Sequence, residues 1–158
     1  MSSVSNHIEQ GKNMSNSNPF SPQESSEVVN EGIAEISPEN LPKVVGIDIL
    51  VLNERGIDPL NNAIHKRVEN QVAQEIADLF RQLPSGEQMR CHNPPFGLRF
   101  YTEDGLQRQC SICWRCNNIH GDFGYEFDAD HAISQKLLAL LIRLTKSEQK
   151  QLGHLMKY

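Results

Sequence analysis

From Phe96 to Trp114 the apolar residues recur at every second position, the chain turns, and the alternation resumes. Phe96, Leu98 and Phe100 are separated by Gly97, Arg99 and Tyr101, so one face of an extended segment is apolar. Thr102-Glu-Asp-Gly105 supplies the turn, with Asp-Gly at its end. Leu106, Cys110, Ile112 and Trp114 then share one face of a return strand, with Arg108 the polar exception. This commits the middle of the chain to an antiparallel hairpin and fixes which way each of its cysteines points.

The flanking segments add strands and helices. Lys43 to Asn53, "KVVGIDILVLN", is β-branched and almost continuously apolar, which suits a strand covered on both faces. Asp58 suits a helix N-cap and Pro59 the first helical position. Leu60, Ile64, Val68, Val72, Ile76, Leu79, Phe80 and Leu83 recur at spacings of three and four, predicting one long amphipathic helix that stops at Pro84-Ser-Gly86. Phe123, Tyr125 and Phe127 predict another strand. Asp130 is placed to cap a second helix, striped by Ile133, Leu137, Leu138, Leu140, Leu141 and Leu144. Thr145 and Glu148 fit the capping box of a short last helix holding Leu152, Leu155 and Met156. The order predicts an α+β fold: an antiparallel sheet of about four strands, with the long helix and the C-terminal helices packed on one face.

Charge separates the first 41 residues from the rest. Before Lys43 stand six acids and one base, while fourteen acids and fourteen bases follow, so the net charge of −5 belongs to the N-terminal stretch. Residues 1–41, rich in Ser, Asn, Glu and Pro, are expected to be a disordered acidic leader, with 42–158 a single domain. Met14 serves equally well as a start. The neutral globular part has no basic excess for phosphates, which disfavours nucleic acid and leaves a protein partner open. No secretory-type leader is visible, and the longest apolar run, Leu137 to Ile142, is too short for a bilayer. A cytoplasmic location without membrane attachment is the expectation. There, clustered cysteines point to metal or catalysis more often than to disulfides.

Arg108 to His120 holds three of the four cysteines. Cys110 shares the side of Ile112 and Trp114 and reads as core packing, while Cys113 points the other way. The pair that matters is therefore Cys113-Trp-Arg-Cys116, which runs into Asn117-Asn118, residues that favour a left-handed turn. Such a turn lets two thiolates face one ion, as in half of a zinc knuckle. Cys91, next to His92 and just before Pro94-Pro95, lies one hairpin away. The expected site is a zinc ion held by Cys91, Cys113 and Cys116, with His92 or His120 as fourth ligand. Unligated structural thiols are a second reading. A third is redox chemistry, with Cys113 and Cys116 cycling and Cys91 resolving; no helix follows Cys116 to lower a thiol pKa, which weighs against it.

"RCHNPPFGLRFY" followed by "SICWRCNN" resembles a pattern of small bacterial proteins, C-H-x-P-x-x-G and then C-x-x-C-N-N. The likeness spans Arg90 to Asn118. It implies that Cys91, Pro94, Gly97, Cys113 and Cys116 are the signature and Cys110 is incidental, and it implies no particular activity.

Elsewhere the candidates thin out. Asp122, Glu126, Asp128 and Asp130 read as a solvated acidic face, and His65, His131 and His154 as exposed. Asp48 interrupts an apolar strand and needs either an edge or a base such as Arg99. There is no G-x-S-x-G, Walker A or G-x-G-x-x-G motif. The expected function is a small binding or regulatory module with a structural zinc–thiolate site at the hairpin base. A thiol-based redox enzyme or sensor is the rival.

Overall fold

The computed structural model describes residues 34–52 and 60–153. Among these residues six strands form one antiparallel sheet in the order β2-β1-β3-β4-β5-β6. They are β1 (Val44–Val51), β2 (Ile64–Glu69), β3 (Phe96–Thr102), β4 (Gln107–Cys113), β5 (Asn118–Gly121) and β6 (Tyr125–Glu126). Among the described residues three helices accompany them: α1 (Asn70–Arg81), α2 (Ala132–Leu144) and α3 (Lys146–Gln151). The α+β class and the antiparallel sheet match the sequence expectation, with β2 and β5 beyond the strands expected. Among the described residues no helix is long and apolar enough to cross a membrane.

The alternation of β3 and β4 sets the two faces of the sheet. Ile47, Ile49 and Val51 of β1 stand opposite Phe100, Leu98 and Phe96, and all six are buried. Phe80 of α1 meets Phe100 at 4.9 Å and Phe123 at 5.1 Å between ring centroids. Trp114 donates its indole N–H to the Ser134 carbonyl of α2 at 3.0 Å. Both long helices therefore cover this face, and Cys110 lies within the core they close. β1 is buried along both of its faces except at Val45.

The predicted helix from Leu60 to Leu83 is in fact strand β2 followed by α1. A spacing of four returns a side chain to the same side in a helix and in a strand, so Ile64 and Val68 fit both. The buried carboxylate of Asp48 decides between them: β2 sets Arg67 directly opposite it and Val68 opposite Ile47. Asn70, with φ 53°, makes the corner into α1 in the left-handed region that asparagine tolerates. The expected cap at Asp58 lies outside the described residues.

Smaller differences follow from local hydrogen bonding. The α2 cap is His131, whose Nδ1 accepts from the Ile133 N–H at 3.2 Å, and Asp130 does not fill the role. Thr145 forms no capping box; its hydroxyl donates back to the Leu141 carbonyl at 2.7 Å. Leu106 is half exposed because it sits in the turn before β4 begins. The folded part also starts before residue 42. Ile36 bridges to Phe123, Pro38–Asn40 form a 3-10 turn, and Leu41 is buried in the core. The leader reading for residues 1–33 lies outside the described residues, as do Leu155 and Met156 of the last helix.

Candidate functional site

Period-two geometry gives the face turned away from the helices Asp48, Arg99, Tyr101, Gln109, Ser111, Cys113, Asn118 and His120. In register, Ser111 stands opposite His120, and Cys113 opposite Asn118. Pro94 and Pro95 keep the preceding segment out of the ladder, and Met89 to Asn93 lies across this end of the face.

Cys91 and Cys116 form a disulfide, with Cα atoms 5.4 Å apart. Cys91 is exposed and Cys116 is fully buried. Asn117, at φ 56°, makes the left-handed turn expected after Cys116. Cys113 is free and buried, and its thiol donates to the Asn93 carbonyl at 3.3 Å. Burial pushes the Cys110 thiol far above the ordinary thiol range. The four residues expected around zinc thus meet a different arrangement. Cys91 and Cys116 are bonded to each other, Cys113 turns to a backbone carbonyl, and His92 uses both ring nitrogens in hydrogen bonds. Among the described residues, no group of three or more His, Cys, Asp or Glu side chains is arranged to hold a metal ion.

His92 is the centre of the crossing segment. Its Nε2 lies 2.7 Å from the Ser111 hydroxyl and its Nδ1 lies 2.6 Å from Asn118 Oδ1. The Asn118 amide nitrogen donates to the Cys91 carbonyl at 2.6 Å, which fixes the amide so that its oxygen faces the ring. The imidazole proton then sits on Nδ1, leaving the Nε2 lone pair for the serine O–H. Burial lowers the His92 pKa; the Asn118 hydrogen bond raises it, and the His120 charge lowers it further. The His120 ring stacks on His92 with centroids 4.1 Å apart and planes at 11°. His120 also borders a groove of about 390 Å³ lined by Glu35, Ile119, Gly121, Gly124, Tyr125 and Glu126.

A second polar group lies further along the same face. Asp48, 4 % exposed, accepts from the Tyr101 hydroxyl at 2.8 Å and from Arg67 at 3.1 Å, with Arg99 at 3.6 Å. Arg67 also covers the Tyr101 ring at 4.0 Å. Burial works against the Asp48 charge, but Tyr101 and Arg67 outweigh it and hold the carboxyl below the usual range. Arg99 is thus one of the partners that the sequence demanded, joined by two others.

Sequence reasoning singled out Cys91, His92, Cys113 and Cys116 as metal ligands; it passed over Ser111 and took Asn118 for a turn residue. The one signal available was parity: Ser111 is two residues from Cys113 and so shares its face. No family model, curated protein or solved structure matches this chain.

Proposed function

We propose that the chain is a small binding or regulatory module whose working surface is the sheet face opposite the helices. The oxidation state of Cys91–Cys116 sets how firmly Met89 to Asn93 covers that face. The observation that carries this reading is the bridge between an exposed cysteine on the crossing segment and a buried one at the end of the β4–β5 connection. With the bond made, the segment is pinned above Ser111 and Asn118. With it broken, the segment is held by hydrogen bonds at His92, Asn93 and Asn118, each contributing about 1 kcal/mol, and by the stacking of His92 on His120. Hydrogen exchange with and without reductant tests this. Reduction should speed exchange of the amides of residues 87–95 while β1 and β3 stay protected; release of the whole sheet would reduce the bridge to a structural staple. Zinc analysis of the reduced protein belongs to the same experiment, because stoichiometric zinc would return the cysteines to a ligand role.

A thiol-based redox reading draws on Cys113, which is free, lies on the same face and is hydrogen-bonded two residues from Cys91. Under the module reading, Cys113→Ser leaves the reduction potential of the bridge unchanged. A shifted potential, or a trapped Cys113–Cys116 bond, favours the redox reading.

A further inference from the structure

Beyond that reading, the geometry points to Ser111 as an activated nucleophile toward small carboxylic esters, with His92 as its general base and Asn118 as the residue that positions the base. The relay is polar in one direction throughout. Ser111 Oγ–H faces His92 Nε2 at 2.7 Å, His92 Nδ1–H faces Asn118 Oδ1 at 2.6 Å, and Asn118 Nδ2–H is held by the Cys91 carbonyl at 2.6 Å. Nucleophile, base and orienting group within hydrogen-bond reach of one another are what hydroxyl activation requires, whatever the fold or chain order. The other acceptor near the hydroxyl, the His120 carbonyl at 3.4 Å, is too distant to compete with His92.

In the reaction, Ser111 Oγ bonds to the ester carbonyl carbon as its proton passes to His92 Nε2. Collapse of the adduct breaks the bond to the alkoxy oxygen, which leaves with that proton as a free alcohol. The acyl group stays on Ser111. A water molecule, giving its proton to the same nitrogen, then releases the carboxylic acid and restores the hydroxyl. Ser111 is 7 % exposed beneath the crossing segment, so an ester reaches its hydroxyl when Met89 to Asn93 lifts.

The test treats the full chain, with its bridge intact and again after reduction, with a fluorophosphonate, which phosphonylates activated serines, followed by peptide mass spectrometry. Ser111 should carry the label, and p-nitrophenyl acetate should give an acetyl adduct on the same peptide. His92→Gln should slow labelling by about a hundredfold, the low end for loss of a general base. Asn118→Asp, which still accepts from Nδ1, should keep most of the labelling, whereas Asn118→Leu should lose it. Melting curves and the intact bridge identify variants that fold, and the Asn118→Asp and Ser111→Ala pair remains informative if His92→Gln does not. An unlabelled Ser111 in the folded wild type with the bridge both intact and reduced, or equal labelling in folded His92→Gln, overturns the assignment. Hydrogen exchange of residues 87–95 on the same samples reports separately whether reduction frees the crossing segment.

Discussion

Cys116 is bonded to Cys91, across 25 residues of sequence, and not to its C-x-x-C neighbour Cys113. The pairing joins a segment outside the sheet to the turn between β4 and β5. It divides the four cysteines into a bridge, a buried thiol among the core residues, and a buried thiol on the opposite face.

The bridge contributes stability that grows with the logarithm of the loop it closes. For a separation of 25 residues, the chain-entropy model gives about 3.5 kcal/mol. The Cys91→Ser, Cys116→Ser double variant should therefore melt roughly 10 °C lower than the oxidised protein. Wild type in reductant should match it, and reductant should not shift the variant further. Calorimetry of the four samples decides the matter.

Cys110 should be inert while the protein is folded. Its thiol is fully buried and resists ionisation, and only the thiolate reacts. Alkylation by iodoacetamide at pH 8, followed by mass spectrometry, should leave Cys110 unmodified until denaturant passes the unfolding midpoint. Reaction well before that point would show that the core opens locally around β4.

Asp48→Asn should cost about 2 kcal/mol at pH 7, since Arg67 and Arg99 lose their buried counter-charge. The folded carboxyl ionises at lower pH than the unfolded one. Its stabilisation is complete above the unfolded value of about 4 and is lost as pH falls through the lower folded value. Urea denaturation of wild type and variant should show a gap that is constant from pH 7 to 5 and closes toward pH 2. A gap independent of pH would mean that shape, not charge, holds this group together.

Gly97→Ala should destabilise by about 2 kcal/mol. An added Cβ would come 2.9 Å from the Cys110 carbonyl oxygen, a backbone atom that cannot step aside, and 2.7 Å from Leu60 Cδ2. A lowered urea midpoint with unchanged slope is the expected result; an unchanged midpoint would require β3 and β4 to move apart at little cost.

Much of the sheet could be read before any coordinate. The alternation of Phe96, Leu98 and Phe100, and its continuation through Cys110 and Ile112, placed Cys110 and Cys113 on opposite faces as they are found. β2 could not be read, because Ile64 and Val68 satisfy two periods at once and the residue that decides, Asp48, lies on another strand. Cys91 was legible as the distant companion of the C-x-x-C pair. Whether two sulfurs bind each other or an ion is not encoded in spacing, so the bridge was not legible. Ser111 and Asn118 carry no motif. They meet His92 only because the register of β4 with β5 brings them side by side and two prolines send the preceding segment over them.

The Cys91–Cys116 bond closes a covalent ring that runs through all of β3 and β4 and includes the exposed tip from Glu103 to Leu106. A protease that cuts once at that tip therefore opens the ring without dividing the molecule. The two fragments stay tethered, each still carrying one of the paired strands, and separate only on reduction. A nicked chain would migrate as a single species until a thiol is added, so the tip is also a place where the chain could be interrupted or re-joined with its strand partners kept together.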